Sequence, residues 1–146
     1  MKELRITSSA FQNKAVIPVK YTCDGDDVNP PLNIEGIPSE AKSLALIVDD
    51  PDAPMGTWVH WVVWNIPVIE RIEENSVLGV EGLNSFRRHS YGGPCPPSGT
   101  HRYFFKVYAL DTKLNISPNS RKKDVKRAMT GHILAEGKIV GLYGRR

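Results

Sequence analysis

Two apolar runs stand close together in this chain, Leu44 to Asp49 and Trp58 to Ile66 (WVHWVVWNI), and neither has a continuous polar face. Such runs suit strands covered on both sides, so both are read as central strands of a sheet. Pro67 stops the second, since proline donates no ladder hydrogen bond. His101 to Leu110 forms a third long run and Ile133 to Tyr143 a last one. Shorter candidates are Leu4 to Ile6, Ile17 to Tyr21 and Val77 to Val80, with Pro18 confining the second to a sheet edge. Helical spacing occurs once, at Val125, Ala128 and Met129, after the cap-type residues Ser117-Pro118-Asn119-Ser120 and before Gly131. Many short strands, frequent turns and one helix predict an all-β sandwich.

Composition narrows this picture without changing it. The chain has 146 residues, enough for one domain spanning 1–146 to bury a core without metal or disulfide support. No apolar run approaches the roughly 18 residues of a membrane span, and MKELRITSSAF lacks the apolar middle of a signal peptide. A cytoplasmic protein is expected. The formal net charge is +3, with basic residues scattered except at Arg121 to Arg127 and at Arg145 and Arg146. The basic helix is read as a solvated face rather than a nucleic-acid surface, because no aromatics interleave it.

Cys23 and Cys95 are the two cysteines, in no CxxC spacing. Two reduced thiols are expected of a cytoplasmic chain. A bridge is the alternative, since both residues flank loops rich in Gly and Pro. Asp24-Gly25-Asp26-Asp27 raises a calcium-loop question, but the distal Glu and the flanking helices of that motif are missing.

Candidate chemistry gathers at the ends of the long strands. Asp50-Pro51-Asp52-Ala53-Pro54 makes a rigid loop between the first two runs, and Tyr91 to Gly99 makes another before the third. Side chains alternate across a strand, so His101, Tyr103, Phe105 and Val107 share one face while Arg102, Phe104 and Lys106 share the other. His101 and Tyr103 can therefore line one pocket. The same rule puts His60 with Trp58, Val62 and Trp64, where Asp50 or Asp52 is its natural partner. Either histidine alone reads as a satisfied core residue. Both adjoin rigid Pro-rich loops, which is where sites are usually built.

The order Asp50-Pro51-Asp52-Ala53-Pro54, His60, the Gly-Pro-Pro-rich loop and Gly99-Thr100-His101-Arg102-Tyr103 resembles the phosphatidylethanolamine-binding protein family, which includes kinase-inhibitor members. Tyr21-Thr22-Cys23-Asp24-Gly25 and Gly131-His132-Ile133-Leu134 resemble its bacterial and archaeal branch. The resemblance implies a large central antiparallel sheet packed on a smaller one, with one or two short peripheral helices. It also implies a small anion pocket for phosphate or a phosphorylated headgroup such as phosphorylethanolamine, formed by Asp50, His60, His101 and Tyr103. Pro54, Trp58, Gly93, Pro94, Cys95 and Pro96 would be its walls. Asp52 and Arg102 are expected to pair structurally, Asp50 to orient His60, and backbone amides of the Gly-rich loop to add donors. No catalytic residue, metal or cofactor is implied. Inhibition of a kinase or protease, and a homodimer, are further implications. The rival reading is a hydrolase, either metal-dependent through Asp50, His60 and His101 or serine-dependent through Ser98.

Overall fold

A computed structural model of the chain describes residues 2–145. The strands are β1 (Lys2–Glu3), β2 (Arg5–Thr7), β3 (Ala15–Val16), β4 (Leu32–Glu35), β5 (Ser43–Asp50), β6 (Trp58–Ile66), β7 (Arg71–Ile72), β8 (Val80–Glu81), β9 (Gly99–Leu110) and β10 (Ile133–Arg145). One α-helix, α1 (Lys122–Met129), precedes β10, and a 3-10 turn covers Val19–Tyr21. The main sheet runs β1-β10-β9-β5-β6-β8, with β3 also pairing β10, and β2-β4-β7 form a second, smaller sheet. All pairs among the long strands are antiparallel, whereas β1 and β3 join β10 in parallel.

The apolar pattern explains this layering. All eight residues of β5 are buried, because its two faces meet different layers. Leu44, Leu46 and Val48 pack with Ile34, Ile72, Phe105 and Ile139 between the two sheets. Ala45 and Ile47 pack with Val62, Trp64, Val125 and Met129 beneath α1. The helix begins at Lys122, and the Asp124 carboxylate accepts the Arg121 N–H at 3.0 Å. Ser117 and Ser120 form the preceding turn instead, where the Ser120 N–H donates to the Ser117 carbonyl at 2.9 Å.

Several expectations need correction. Ile17 to Tyr21 is not a strand: Pro18 leads into the 3-10 turn, and Ala15–Val16 pair with β10 instead. The 77–80 candidate yields only Val80–Glu81. Strand alternation also fails in β6. Val48 pairs with Trp61 but Asp49 with Val59, so His60 is an extra residue in the ladder, a β-bulge that resets the faces. Trp61 and Val63 therefore join the core between the sheets, while Val62 and Trp64 lie under α1. A second bulge falls at Asn65, whose φ is 54°. Its side-chain amide holds both the N–H and the carbonyl of Leu114, at 2.7 and 2.9 Å.

The two cysteines are not free thiols. Cys23 and Cys95 form a disulfide across 72 positions of sequence. Sequence spacing is silent about such a bridge, because backbone bonds bring its two loops together. The Cys23 N–H donates to the Pro94 carbonyl at 3.1 Å, and the Gly93 N–H to Asp27 Oδ1 at 2.8 Å. Asp24 accepts the Tyr143 hydroxyl at 2.5 Å and pairs with Arg145. The acidic cluster is thus spent on loop contacts.

Candidate functional site

Strands β5, β6 and β9 end together at one edge of the main sheet, and their terminal side chains meet there. Asp50, the last residue of β5, accepts a hydrogen bond from His101 Nδ1 at 2.7 Å, with both side chains almost closed to solvent. A carboxylate only accepts, so His101 carries its Nδ1 proton toward Asp50 and keeps Nε2 free. The pair overturns the expectation that Asp50 orients His60.

His60 has a different partner. Its Nδ1 lies 2.7 Å from the Gly92 carbonyl oxygen, which can only accept, so Nδ1 is the protonated nitrogen here too. The β6 bulge turns the ring into the space beside Tyr103, where the two rings meet edge to face at 5.3 Å. Burial lowers the His60 pKa below the usual histidine value, with the Gly92 carbonyl and the Asp50 charge opposing it. The neutral ring is therefore favoured.

Tyr103 stacks against His101 at 6.4 Å and is closed from solvent. Its hydroxyl has no hydrogen-bond partner, unlike every other buried side-chain nitrogen or oxygen among the described residues. Burial pushes its pKa well up and the negative charge of Asp50 adds to this, while the Cys95 backbone beside the hydroxyl opposes both. A buried hydroxyl left unpaired is costly, so this is where a bound group would supply what the protein does not.

The flanking residues divide into those at the site and those beside it. Trp58 packs edge to face on Phe86 at 5.4 Å, and Phe86 packs in the same way on His60 at 5.3 Å. Cys95 is tied to Cys23, and Gly93, Pro94 and Pro96 are buried in the same loop. The Gly92 and Gly93 amides are already committed, to the His60 carbonyl and to Asp27, so they are not the free donors expected. Pro54 is exposed on the 51–57 loop. Asp52 and Arg102 pair as anticipated, with Nε–Oδ2 at 2.9 Å and Nη2–Oδ1 at 2.8 Å, and the Arg102 N–H adds a third bond at 2.9 Å. Those bonds lower the Asp52 pKa to about 2.

The comparisons decide the family. The family model described as phosphatidylethanolamine-binding protein matches residues 7–144. The chain belongs to the phosphatidylethanolamine-binding protein family. A UPF0098 protein of Pyrococcus abyssi is 51% identical over 99% of this chain and 88% of its own length. Another, from Methanothermobacter thermautotrophicus, is 49% identical over 97% and 99%. The crystal structure of a phosphatidylethanolamine-binding protein homologue from Chlamydia trachomatis superposes with a TM-score of 0.94 at 40% identity, covering both chains fully. E. coli YbcL, described as a member of the mammalian family, gives 0.90 at 31% identity over 99% of both chains. These relatives place the chain in the prokaryotic branch, and the two sheets with their single helix are the mainly-β fold of that family.

Membership in the phosphatidylethanolamine-binding protein family implies a binding protein. Among the described residues no three His, Cys, Asp or Glu side chains gather as a metal would need, and Ser98 is exposed on its loop with no hydrogen bond to a histidine. None of the described helices is long and apolar enough to cross a membrane. Two surface recesses, of about 570 Å³ beside Ile34, Ile37 and Val68 and about 350 Å³ beside Thr57, Ser85 and Arg121, lie away from His101 and Tyr103. Sequence reasoning missed Phe86 and the Gly92 carbonyl beside His60, and the contact of Arg145 with the disulfide loop. Phe86 lies in a weakly patterned stretch that gives no signal, whereas Gly92 stands in the Tyr91 to Gly99 loop already singled out, without a sign that its carbonyl would meet His60. Arg145 lies two residues beyond the predicted strand end at Tyr143, and the observed β10 runs on to include it on the face of Tyr143.

Proposed function

We propose that the chain is a non-enzymatic binding protein whose site at Asp50, His60, His101 and Tyr103 takes a small phosphorylated anion, phosphate or a headgroup such as phosphorylethanolamine. The observation that carries this reading is the buried, unpartnered Tyr103 hydroxyl between the two histidines. An anionic oxygen would accept from that hydroxyl and, where His101 carries both ring protons, from its Nε2. Neutral His60 offers a lone pair at Nε2, which suits the acidic P–OH of a monoanionic phosphomonoester.

The neutral His60 contact needs a ligand that keeps its P–OH proton, so affinity should fall as pH rises through the second phosphate ionisation at about pH 6. The test is a proton NMR titration of the His60 and His101 imidazoles with phosphorylethanolamine, repeated on His60→Ala and His101→Ala. Saturable shifts lost in both variants support the site, and silence at millimolar ligand would overturn it. Modulation of a kinase or protease would use the same end of the molecule. There Met55 is 97% exposed and Trp58 37% exposed, and exposed apolar side chains beside a site suit contact with a protein.

A further inference from the structure

The site has an unexpected charge inventory. His60 favours its neutral form, Asp50 brings a negative charge, and Arg102 turns to the outer face of β9 to hold Asp52. An anion entering this site needs positive charge that Asp50, His60 and Arg102 do not supply.

The last turns of β10 supply a candidate. Tyr143 pairs with His101 and Arg145 with Gly99 in the β10–β9 ladder. Ile139 and Tyr143 belong to the core between the sheets, so Arg145, at the next position of the same parity, is delivered to the site end of that face. Its Nη2 lies 3.2 Å from Cys23 Sγ, and Cys23 is bonded to Cys95 in the pocket loop. Its charge is close enough to favour the Tyr103 phenolate. Asp24 holds the guanidinium through Nε at 3.2 Å and through Nη2. The pair remains about one-third exposed, so an ion pair of modest strength can be exchanged for a ligand.

We infer that Arg145 is a specificity-determining residue of this site, supplying the guanidinium that selects a doubly acidic group such as phosphate, with Asp24 as the internal anion it leaves on binding. The inference rests on the proposed anion reading and adds the element that sets ligand charge. A guanidinium fork matches phosphate oxygens in a way one imidazolium does not.

The experiment is a set of inorganic phosphate titrations by NMR on the wild type, Arg145→Gln, Arg145→Lys and Asp24→Asn, with each variant's folded spectrum checked first. Arg145→Gln should weaken phosphate binding about tenfold or more, the scale of one charge-assisted hydrogen bond. Arg145→Lys should recover part of that loss. Asp24→Asn still accepts from the Tyr143 hydroxyl yet releases Arg145, so binding should tighten by up to about fivefold, the worth of an exposed ion pair. A purely structural latch would behave otherwise, since removing either partner would loosen the Cys23 loop and weaken binding. Unchanged affinity in Arg145→Gln, equal losses in the Lys and Gln variants, or anything but tightening in Asp24→Asn overturns the role of Arg145. The anion site itself would still stand in those cases. No binding to the wild type overturns both.

Discussion

Tyr103 and His60 hold the two residues' worth of polarity that the fold leaves unsettled. The Tyr103 hydroxyl is buried without a partner, so Tyr103→Phe should leave stability unchanged or raise it by up to about 1 kcal/mol, while ligand affinity falls. Urea unfolding and phosphate titration on the same variant check both halves. A stability loss of several kcal/mol would mean that the hydroxyl is already satisfied. His60 titrates below its ordinary value, so folding favours its neutral form. The stability this gives is present above about pH 6.5 and is lost as pH falls through the lower folded value. Urea midpoints at about pH 7, 6 and 5 should therefore decline, and His60→Gln should flatten that decline. At this scale the Asp52–Arg102 pair was legible because parity put Arg102 on the outward face of its strand and the resembled motifs offered Asp52 to meet it. The partner of His60 was not, because one inserted residue in β6 sends its ring to the Gly92 carbonyl. Asp50 was given the wrong histidine, since it holds His101.

Asp49 fixes the helix to the sheet. Its carboxylate is almost fully buried and meets Lys106 of β9 at 3.1 Å and Lys122 of α1 at 2.6 Å. Asp49→Ala leaves two lysines that can still reach water, so the cost should be about 2 kcal/mol, less than the roughly 3 or more of a fully enclosed pair. Denaturant unfolding reads this directly. Hydrogen exchange should show the amides of Val125 and Met129 losing protection first, because α1 covers the sheet chiefly through those side chains. Strands β5, β6, β9 and β10 were legible because long apolar runs admit few other readings. Strands β1, β3, β7 and β8 have two residues each, too few for a period of two to register. Leu32–Glu35 was missed because Asn29-Pro30-Pro31 before it reads as turn. The Asn65 bulge had no sequence warning beyond a residue type that tolerates positive φ.

The disulfide spans 72 positions and so closes half the chain onto itself. In the chain-entropy account a loop of that length contributes about 4 kcal/mol, and Cys23→Ser with Cys95→Ser should lower the melting temperature by on the order of 10 °C. Calorimetry with and without reductant distinguishes this from a silent bridge, for which the two scans would coincide. The overall layering was legible because it follows from which strands are apolar on both faces. The bridge was not, because loop proximity is a property of the finished fold. Strand β5 lies at the centre of these layers with apolar side chains on both faces, Leu44, Leu46 and Val48 against Ala45 and Ile47. Oil alone gives such a strand no sense of phase, since a slip by one residue exchanges one greasy face for another. Its two neighbouring carboxylates supply that sense. Asp49 must find lysines and Asp50 must find His101, so any slipped alignment strands two charges at once, and the tip of β5 acts as a key that the assembling sheet accepts in one position.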